Sequence, residues 1–89
     1  MPRQRKSKPL SPDHAALGQA IEKRIAEIPW MSQDSIAREA GISQRRVNDF
    51  VRGQGNPRFT TLLQLCSGLH LSLEELAARV ESLKQSAVR

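Results

Sequence analysis

Residues 43–53 carry side chains whose hydrogen-bonding groups match the edges of DNA base pairs. At about 100° per residue, a helix over this segment would place Val47, Phe50 and Val51 on one inward face. The polar residues on its other faces are Gln44, Arg45, Arg46, Asn48, Asp49 and Arg52. Arginine can pair with O6 and N7 of guanine through two hydrogen bonds, and glutamine or asparagine can do the same with adenine. A solvated helix surface has a similar composition, so this helix alone does not decide between the two interpretations.

Asp49 is an acid on a face that would otherwise attract phosphate groups. Its carboxylate can accept a hydrogen bond from N4 of cytosine. It can also hold Arg45 or Arg46 in place, because those residues precede it by about one helical turn. We favour the second role, in which Asp49 orients an arginine.

The element that would position this helix is a second short helix, joined to it by a tight turn. Ser32 and Ser43 are predicted to cap the two helices, since a serine hydroxyl can accept from the free amide groups of a first turn. Ala37 is small enough for the helices to cross closely, and Gly41 can adopt the left-handed conformation that a sharp turn needs. A helical hairpin used only for packing would not require both residues at this spacing. Residues 32–53 therefore predict a helix-turn-helix, which carries its second helix into the DNA major groove.

The remaining periodicity predicts three more helices and an all-α fold. Helix 1 begins at the N-cap Ser11 with Pro12 in its first position, and Pro29 ends it because a proline ring cannot continue the helix. Its inward residues are Leu17, Ile21, Ile25 and Ile28. Val, Ile and Thr never alternate with polar residues over the length of a strand, so no sheet is predicted.

Helix 4 is predicted to run from about Arg58 to Leu69, and helix 5 to follow a capping box formed by Ser72 and Glu75. The residues expected to face inward in helix 4 are Leu62, Leu63, Cys66 and Leu69. Those in helix 5 are Leu73, Leu76, Ala77, Val80 and Leu83. The first three of these would be enough to close the core, so the last two extend the apolar stripe beyond it.

The positive charge is concentrated in two segments. The 89 residues carry a formal net charge of +5. Residues 1–8 hold four basic residues and no acid, and residues 43–58 hold four arginines and one aspartate. The basic residues of the first segment are Arg3, Arg5, Lys6 and Lys8. Such localised segments indicate a surface that binds a polyanion. The predicted boundaries are a disordered basic arm over 1–10, a folded domain over 11–84 and a tail over 85–89.

The composition disfavours several other classes of protein. No apolar run is long enough to span a membrane, and no secretory signal is recognisable. The single cysteine, Cys66, is expected to be a small core residue and fits a reducing compartment. His14 and His70 have no acid or nucleophile at a catalytic spacing. We therefore expect a cytoplasmic, nucleoid-associated protein with no enzymatic, metal or cofactor site.

The chain from Met31 to about Leu76 resembles the Cro/C1 (XRE-like) helix-turn-helix family of phage-repressor-like DNA-binding domains. The residues that carry the resemblance are Ser32-Gln33, Ile36-Ala37, Gly41-Ile42-Ser43, Val47, Arg52-Gly53, Asn56-Pro57, Thr61-Leu62-Leu63, Leu65 and Leu71-Ser72-Leu73 with Glu74-Glu75-Leu76. The resemblance implies a five-helix, lambda-repressor-like fold and sequence-specific binding of double-stranded DNA. Two positions depart from the family pattern. Asp49 is acidic, and Trp30, expected to pack in the core or on its shoulder, replaces a small residue.

The same resemblance implies roles for individual residues. Gln44 and Arg45 would contact bases, with a contribution from Asp49 and with Arg46 and Asn48 as flanking candidates. The residues implied to contact the DNA backbone are Gln33, Ser43, Arg52, Asn56, Arg58 and Thr60. Gln33 would also brace Gln44, the first residue implied to contact a base.

By resemblance, residues 1–8 are similar to the arm with which lambda-type repressors wrap the duplex. Val80 and Leu83 would form a two-fold dimer contact, placing two half-sites of a palindromic operator one helical turn, roughly 34 Å, apart. The implied function is a transcriptional regulator, and specifically a repressor, because so short a chain leaves no room for an effector domain. The alternative is an antitoxin that holds a partner toxin and regulates its own operon, and nonspecific coating of the nucleoid is a third.

Overall fold

The computed structural model describes residues 9–87, which form five α-helices and no strand. The helices are α1 (Pro12–Glu27), α2 (Gln33–Ala40), α3 (Gln44–Val51), α4 (Phe59–Leu69) and α5 (Leu73–Ala87). The predicted all-α, five-helix fold is confirmed. The disorder predicted for the arm concerns mainly residues 1–8, which lie outside the described residues. Helix α5 continues past residue 84, the predicted end of the domain.

Serine residues begin four of the five helices, as their positions in the sequence predict. The hydroxyls of Ser11, Ser32, Ser43 and Ser72 each accept a hydrogen bond from the amide three residues later, at 3.0–3.2 Å. Each bond satisfies one of the amide groups that a first helical turn leaves free. Helix α4 differs, because its N-cap residue, Arg58, makes no side-chain hydrogen bond to the turn.

The core lies where α1, α2, α3 and α4 meet, and α5 closes it through Leu76, which is 2% exposed. The largest fully buried side chains are Ile21, Ile36, Val47, Phe50, Leu65 and Leu69. Two more residues predicted to face inward, Leu17 and Cys66, are also buried. The other inward predictions that hold are partly buried against this core: Ile25, Ile28, Val51, Leu62, Leu73, Val80 and Leu83.

Two residues predicted to face inward are exposed. Leu63 keeps 44% of its surface in solvent, whereas Leu65 is fully buried. Because two residues correspond to about 200° of helical rotation, α4 cannot bury both side chains on one face. Ala77 is exposed for a similar reason, since it lies about 100° around α5 from the buried Leu76.

Trp30 packs on the shoulder of the fold and not in its core. Its side chain is 57% exposed, and its ring meets the ring of His70 edge-on, with 5.2 Å between the centroids. His70 ends α4 with a φ of 59°, and its Nε2 lies 2.7 Å from Oε1 of Glu39. These residues lie at the C-terminal ends of α1, α2 and α4.

Helix α3 lies directly against α1 because Gly18 has no side chain. A Cβ atom at Gly18 would lie 2.1 Å from the carbonyl oxygen of Val51 and 2.8 Å from that of Phe50. Helices α2 and α4 also approach closely, since a Cβ atom at Gly68 would lie 2.6 Å from the carbonyl oxygen of Ile36. The position of α3 is therefore fixed by a backbone contact as well as by its buried side chains.

Candidate nucleic-acid interface

The turn between α2 and α3 has the geometry that its sequence predicts. Gly41 adopts φ 77° and ψ 29°, in the left-handed region. Its amide donates to the carbonyl of Ala37 at 2.9 Å, and the amide of Ile42 donates to the same carbonyl at 3.1 Å. Ala37 is buried between the two helices, as the predicted close crossing requires. Helices α2 and α3 thus form a helix-turn-helix.

The inner face of α3 is held by Val47 and Phe50, which are 0% and 2% exposed. The exposed residues around the helix are Gln44, Arg45, Arg46 and Arg52, while Asn48 and Asp49 are half-buried. Every residue predicted to contact bases therefore lies on the outer or lateral surface of one short helix. Three arginines and a single aspartate give this surface a positive charge.

Gln33, in the first turn of α2, contacts α3 at Asn48. Nδ2 of Asn48 donates to Oε1 of Gln33 at 3.3 Å. The family resemblance implies that Gln33 braces Gln44. In the structure Gln33 bonds instead to Asn48, which lies about one turn further along α3 on the side that faces α2. The bond uses Oε1 of Gln33, and the Nε2 group of the same amide can only donate.

The pairing predicted between Asp49 and an arginine of α3 is not formed. Within residues 9–87 no ion pair joins the carboxylate of Asp49 to Arg45 or Arg46. The guanidinium of Arg46 lies instead over the ring of Phe50, 5.7 Å from the centroid, where a cation–π attraction holds it. An exposed helical ion pair contributes only about 0.3–0.5 kcal/mol, so the helix loses little by leaving the acid unpaired.

The residues predicted to contact the DNA backbone cluster at the N-terminal ends of α2, α3 and α4 and in the loop after α3. Arg52, Arg58 and Thr60 are exposed. Ser43 uses its oxygen as a cap and keeps an O–H to donate. Oδ1 of Asn56 lies 3.1 Å from Nε2 of His14, so the Nδ2 group is the part of this exposed side chain that remains to donate. The uncapped first turn of α4, beside Arg58, adds free backbone amides to this set.

Two residues outside the predicted set also join this surface. The amide of Leu10 donates to the carbonyl of Gly53 at 2.8 Å, and Pro9 lies against the same glycine. The contact connects the segment before α1 to the end of α3. No local pattern indicates it, because the two partners are far apart in the sequence.

Val80 and Leu83, the residues predicted to form a dimer contact, lie about one helical turn apart on α5, and each is partly buried against the core. Val80 lines an apolar groove of about 380 Å³ between α1, α4 and α5, together with Leu17 and Leu62. Leu83 lies beside Lys23 on the side of α5 that faces the other flank of α1. The two residues thus border neighbouring grooves, and their role in a dimer contact stays a prediction.

The remaining observations concern membrane spans, metal sites and the single cysteine. Across residues 9–87, no helix combines the length and the apolar character needed to cross a membrane. The described part of the chain also places no three His, Cys, Asp or Glu side chains where they could hold a metal ion together. Cys66 is buried in the core, as expected, and burial raises the pKa of its thiol above the ordinary value.

Comparison with known proteins supports the same interpretation. Residues 31–76, half of the chain, match a family model described as helix-turn-helix. The fold is similar to the crystal structure of the restriction-modification controller protein C.AhdI from Aeromonas hydrophila, with a TM-score of 0.67 and 26% identity over 74% of this chain and 98% of that one. It is also similar to the crystal structure of a point mutant of the restriction-modification controller protein C.Esp1396I, with a TM-score of 0.77 and 15% identity over 91% of this chain and 99% of that one. No curated protein sequence gives a significant match.

Proposed function

The chain belongs to the Cro/C1-type, XRE-like helix-turn-helix family, and on that premise we propose that it is a transcriptional repressor that recognises operator DNA with the outer face of α3. The proposal is carried by the arrangement of α3. Val47 and Phe50 fix the helix on the core, while Gln44 and Arg45 are exposed at its start. In helix-turn-helix proteins the N-terminal residues of the second helix contact base edges.

The proposed base contacts follow from the chemistry of each exposed side chain. Arg45 donates two hydrogen bonds to a guanine, and Gln44 pairs with an adenine. Asp49, which no arginine of α3 neutralises, accepts from N4 of a cytosine. Asn48, whose side chain donates a hydrogen bond to Gln33, contacts the same major groove from the side of α3 that faces α2. Arg46 contacts a base edge or a phosphate at the flank of the helix.

Phosphate contacts flank these base contacts on both sides. Ser43, Asn56 and Gln33 each present a donor, and the exposed Arg52, Arg58 and Thr60 continue the surface. The first turn of α4 supports this part of the proposal, because it is the helix start without a side-chain cap. Free amides and the positive end of the helix dipole form a natural site for a phosphate group.

The basic residues of the arm add contacts that do not depend on sequence. They are Arg3, Arg5, Lys6 and Lys8. Each phosphate that they neutralise would add about 0.9 to the slope of binding affinity against salt concentration on a logarithmic scale. The arm is therefore expected to strengthen binding to all duplex DNA and to steepen its salt dependence.

We assign the dimer contact to the surface of α5 that carries Val80 and Leu83, together with the groove that Val80 lines. The groove is open, and most of its lining is apolar. Two copies related by a two-fold axis would present their α3 helices to successive major grooves, roughly 34 Å apart. The similarity to the restriction-modification controller C.AhdI supports a regulatory role on DNA.

Selection of binding sites from random duplexes tests this function. We expect a palindromic consensus whose half-sites are about one helical turn apart. When the selected site overlaps a promoter, the protein is expected to lower transcription from it. Failure to enrich any sequence would contradict the proposal. Purification of the protein with a small partner in equal amounts, without an enriched DNA site, would favour the antitoxin.

A further inference from the structure

We infer that His14 is a positioning residue for DNA binding, because it fixes which end of the Asn56 amide faces the phosphate backbone. This inference rests on the proposed function, in which Asn56 contacts a phosphate. Nε2 of His14 lies 3.1 Å from Oδ1 of Asn56, although 42 positions separate the two residues in the sequence. His14 lies in the first turn of α1 and Asn56 in the loop between α3 and α4, so the contact joins two distant elements.

Ser11 determines which nitrogen of the His14 ring carries the hydrogen. The hydroxyl oxygen of Ser11 accepts from the backbone amide of His14 at 3.2 Å, and it lies 2.5 Å from Nδ1 of the same residue. Because this oxygen already accepts one hydrogen bond, its O–H group donates to Nδ1, which is then the accepting nitrogen of the neutral ring. Nε2 therefore carries the hydrogen and donates to Oδ1 of Asn56.

The backbone on both sides of Asn56 is held by other contacts. The amide of Gly55 donates to the carbonyl of Asp49 at 3.2 Å. Gly55 also packs on Phe50, since a Cβ atom at Gly55 would lie 2.3 Å from Cδ1 of the phenylalanine ring. Pro57 restricts the residue before it to extended backbone conformations. These contacts place the backbone of Asn56 but do not determine how its exposed side chain is rotated.

The rotation of the Asn56 amide matters because its two ends differ chemically. The Nδ2 group donates hydrogen bonds and Oδ1 accepts them, so only Nδ2 can bind a phosphate oxygen. With Oδ1 held by His14, the Nδ2 group is the end that remains for the phosphate. Without His14 the amide could present either end, and DNA would have to order it on binding. The ordering of one such side chain lowers affinity by about 2- to 12-fold.

The side chain of His14 is not needed to begin α1. The helix cap uses the backbone amide of His14, and the carbonyl of Ser11 accepts from the amide of Ala15 at 3.0 Å. Both bonds persist when the side chain at position 14 is replaced. That side chain is also only partly buried, so a substitution removes little packing. The contact with Asn56 can therefore be removed while the fold is kept.

Two substitutions at position 14 separate hydrogen bonding from shape. His14→Gln keeps an amide that can donate to Oδ1 of Asn56, whereas His14→Met has a side chain of similar length without a donor. Each substitution is made in the original chain and again in the Asn56→Ala variant. The measurement is the affinity of every protein for the selected DNA site at one salt concentration.

In the original chain, His14→Met is expected to weaken binding by about 2- to 12-fold, and His14→Gln to bind more tightly than His14→Met. In the Asn56→Ala variant, neither substitution should change the affinity, because the amide that His14 positions is absent. A general effect on folding would instead weaken binding in both backgrounds.

Three results would overturn the inference. They are an unchanged affinity in His14→Met, the same loss from His14→Met in the Asn56→Ala variant, and equal affinities of His14→Met and His14→Gln. Each of these results is obtained with an original protein that binds its selected site, so the proposed function would survive. If the original protein enriches no DNA sequence, the proposed function itself fails, and this inference fails with it.

Discussion

Replacement of Gly18 by alanine tests how closely α3 is held against α1. The added Cβ would lie 2.1 Å from the carbonyl oxygen of Val51, so the helices would have to separate by roughly 1 Å to reach the closest distances that real Cβ atoms show. Overpacking of this kind typically costs about 1–3 kcal/mol. The upper end applies because the nearest atoms, the carbonyl oxygens of Val51 and Phe50, belong to the backbone. Alanine stabilises a helix by about 1 kcal/mol relative to glycine. The two effects leave a net loss of about 2 kcal/mol.

The free energy of unfolding of Gly18→Ala, measured by urea denaturation followed by circular dichroism, should therefore fall by about 2 kcal/mol. For a domain of this size the midpoint temperature would fall by about 8–16 °C. Gln19→Ala, an exposed substitution at the next position of α1, should stay within about 0.5 kcal/mol of the original protein. If Gly18→Ala is more stable than the original protein, helix propensity outweighs the contact. The close approach of α1 and α3 would then be refuted.

Three further predictions concern stability and reactivity. Lys84 bonds to Asp13 at 2.6 Å and lowers the pKa of that carboxyl below its ordinary 3.8. The stabilisation from this ion pair is present above pH 3.8 and is lost as the pH falls through the lowered pKa. In urea denaturation, Asp13→Asn should therefore be less stable than the original protein at pH 7 and equally stable in strong acid. A difference in stability that does not change with pH would contradict this prediction. Ser32→Ala should lower the free energy of unfolding by about 0.5–2 kcal/mol in the same assay, because it removes a capping box. Ser67→Ala, an exposed substitution within α4, should lower it by less than about 0.5 kcal/mol. Cys66 should react slowly with a thiol reagent in the native protein and rapidly in urea, and rapid native labelling would show that the thiol is accessible.

The features that local chemistry determines could be predicted from the sequence. Ser11, Ser32 and Ser43 cap helices because a serine hydroxyl reaches an amide three residues away, whatever the rest of the chain does. Gly41 was predictable for the same reason, since a tight turn between two apolar stripes requires a left-handed residue there. The core positions of α1 and α3 followed from clear helical periodicity, with one apolar residue per turn.

The features that could not be predicted depend on contacts between distant segments or on the phase of a helix. Leucines at 62, 63 and 65 fit more than one inward face of α4, and only packing against the other helices decides that Leu63 is exposed. The bond from Leu10 to Gly53 and the bond from Asn48 to Gln33 join different elements, and no spacing rule indicates them. The base and phosphate contacts stay predictions, because they depend on a DNA partner.

The most direct test of the central claim is the specificity of Arg45→Ala, measured as the ratio of its affinity for the selected site to its affinity for a scrambled duplex at one salt concentration. Loss of a bidentate contact with a base costs about 1–3 kcal/mol of discrimination, so this ratio should fall about 5- to 150-fold. Gln44→Ala should lower it in the same direction. Arg79→Ala, which removes an arginine of α5 paired with Glu27, should leave the ratio unchanged. An unchanged ratio in both Arg45→Ala and Gln44→Ala would show that α3 does not recognise the DNA sequence.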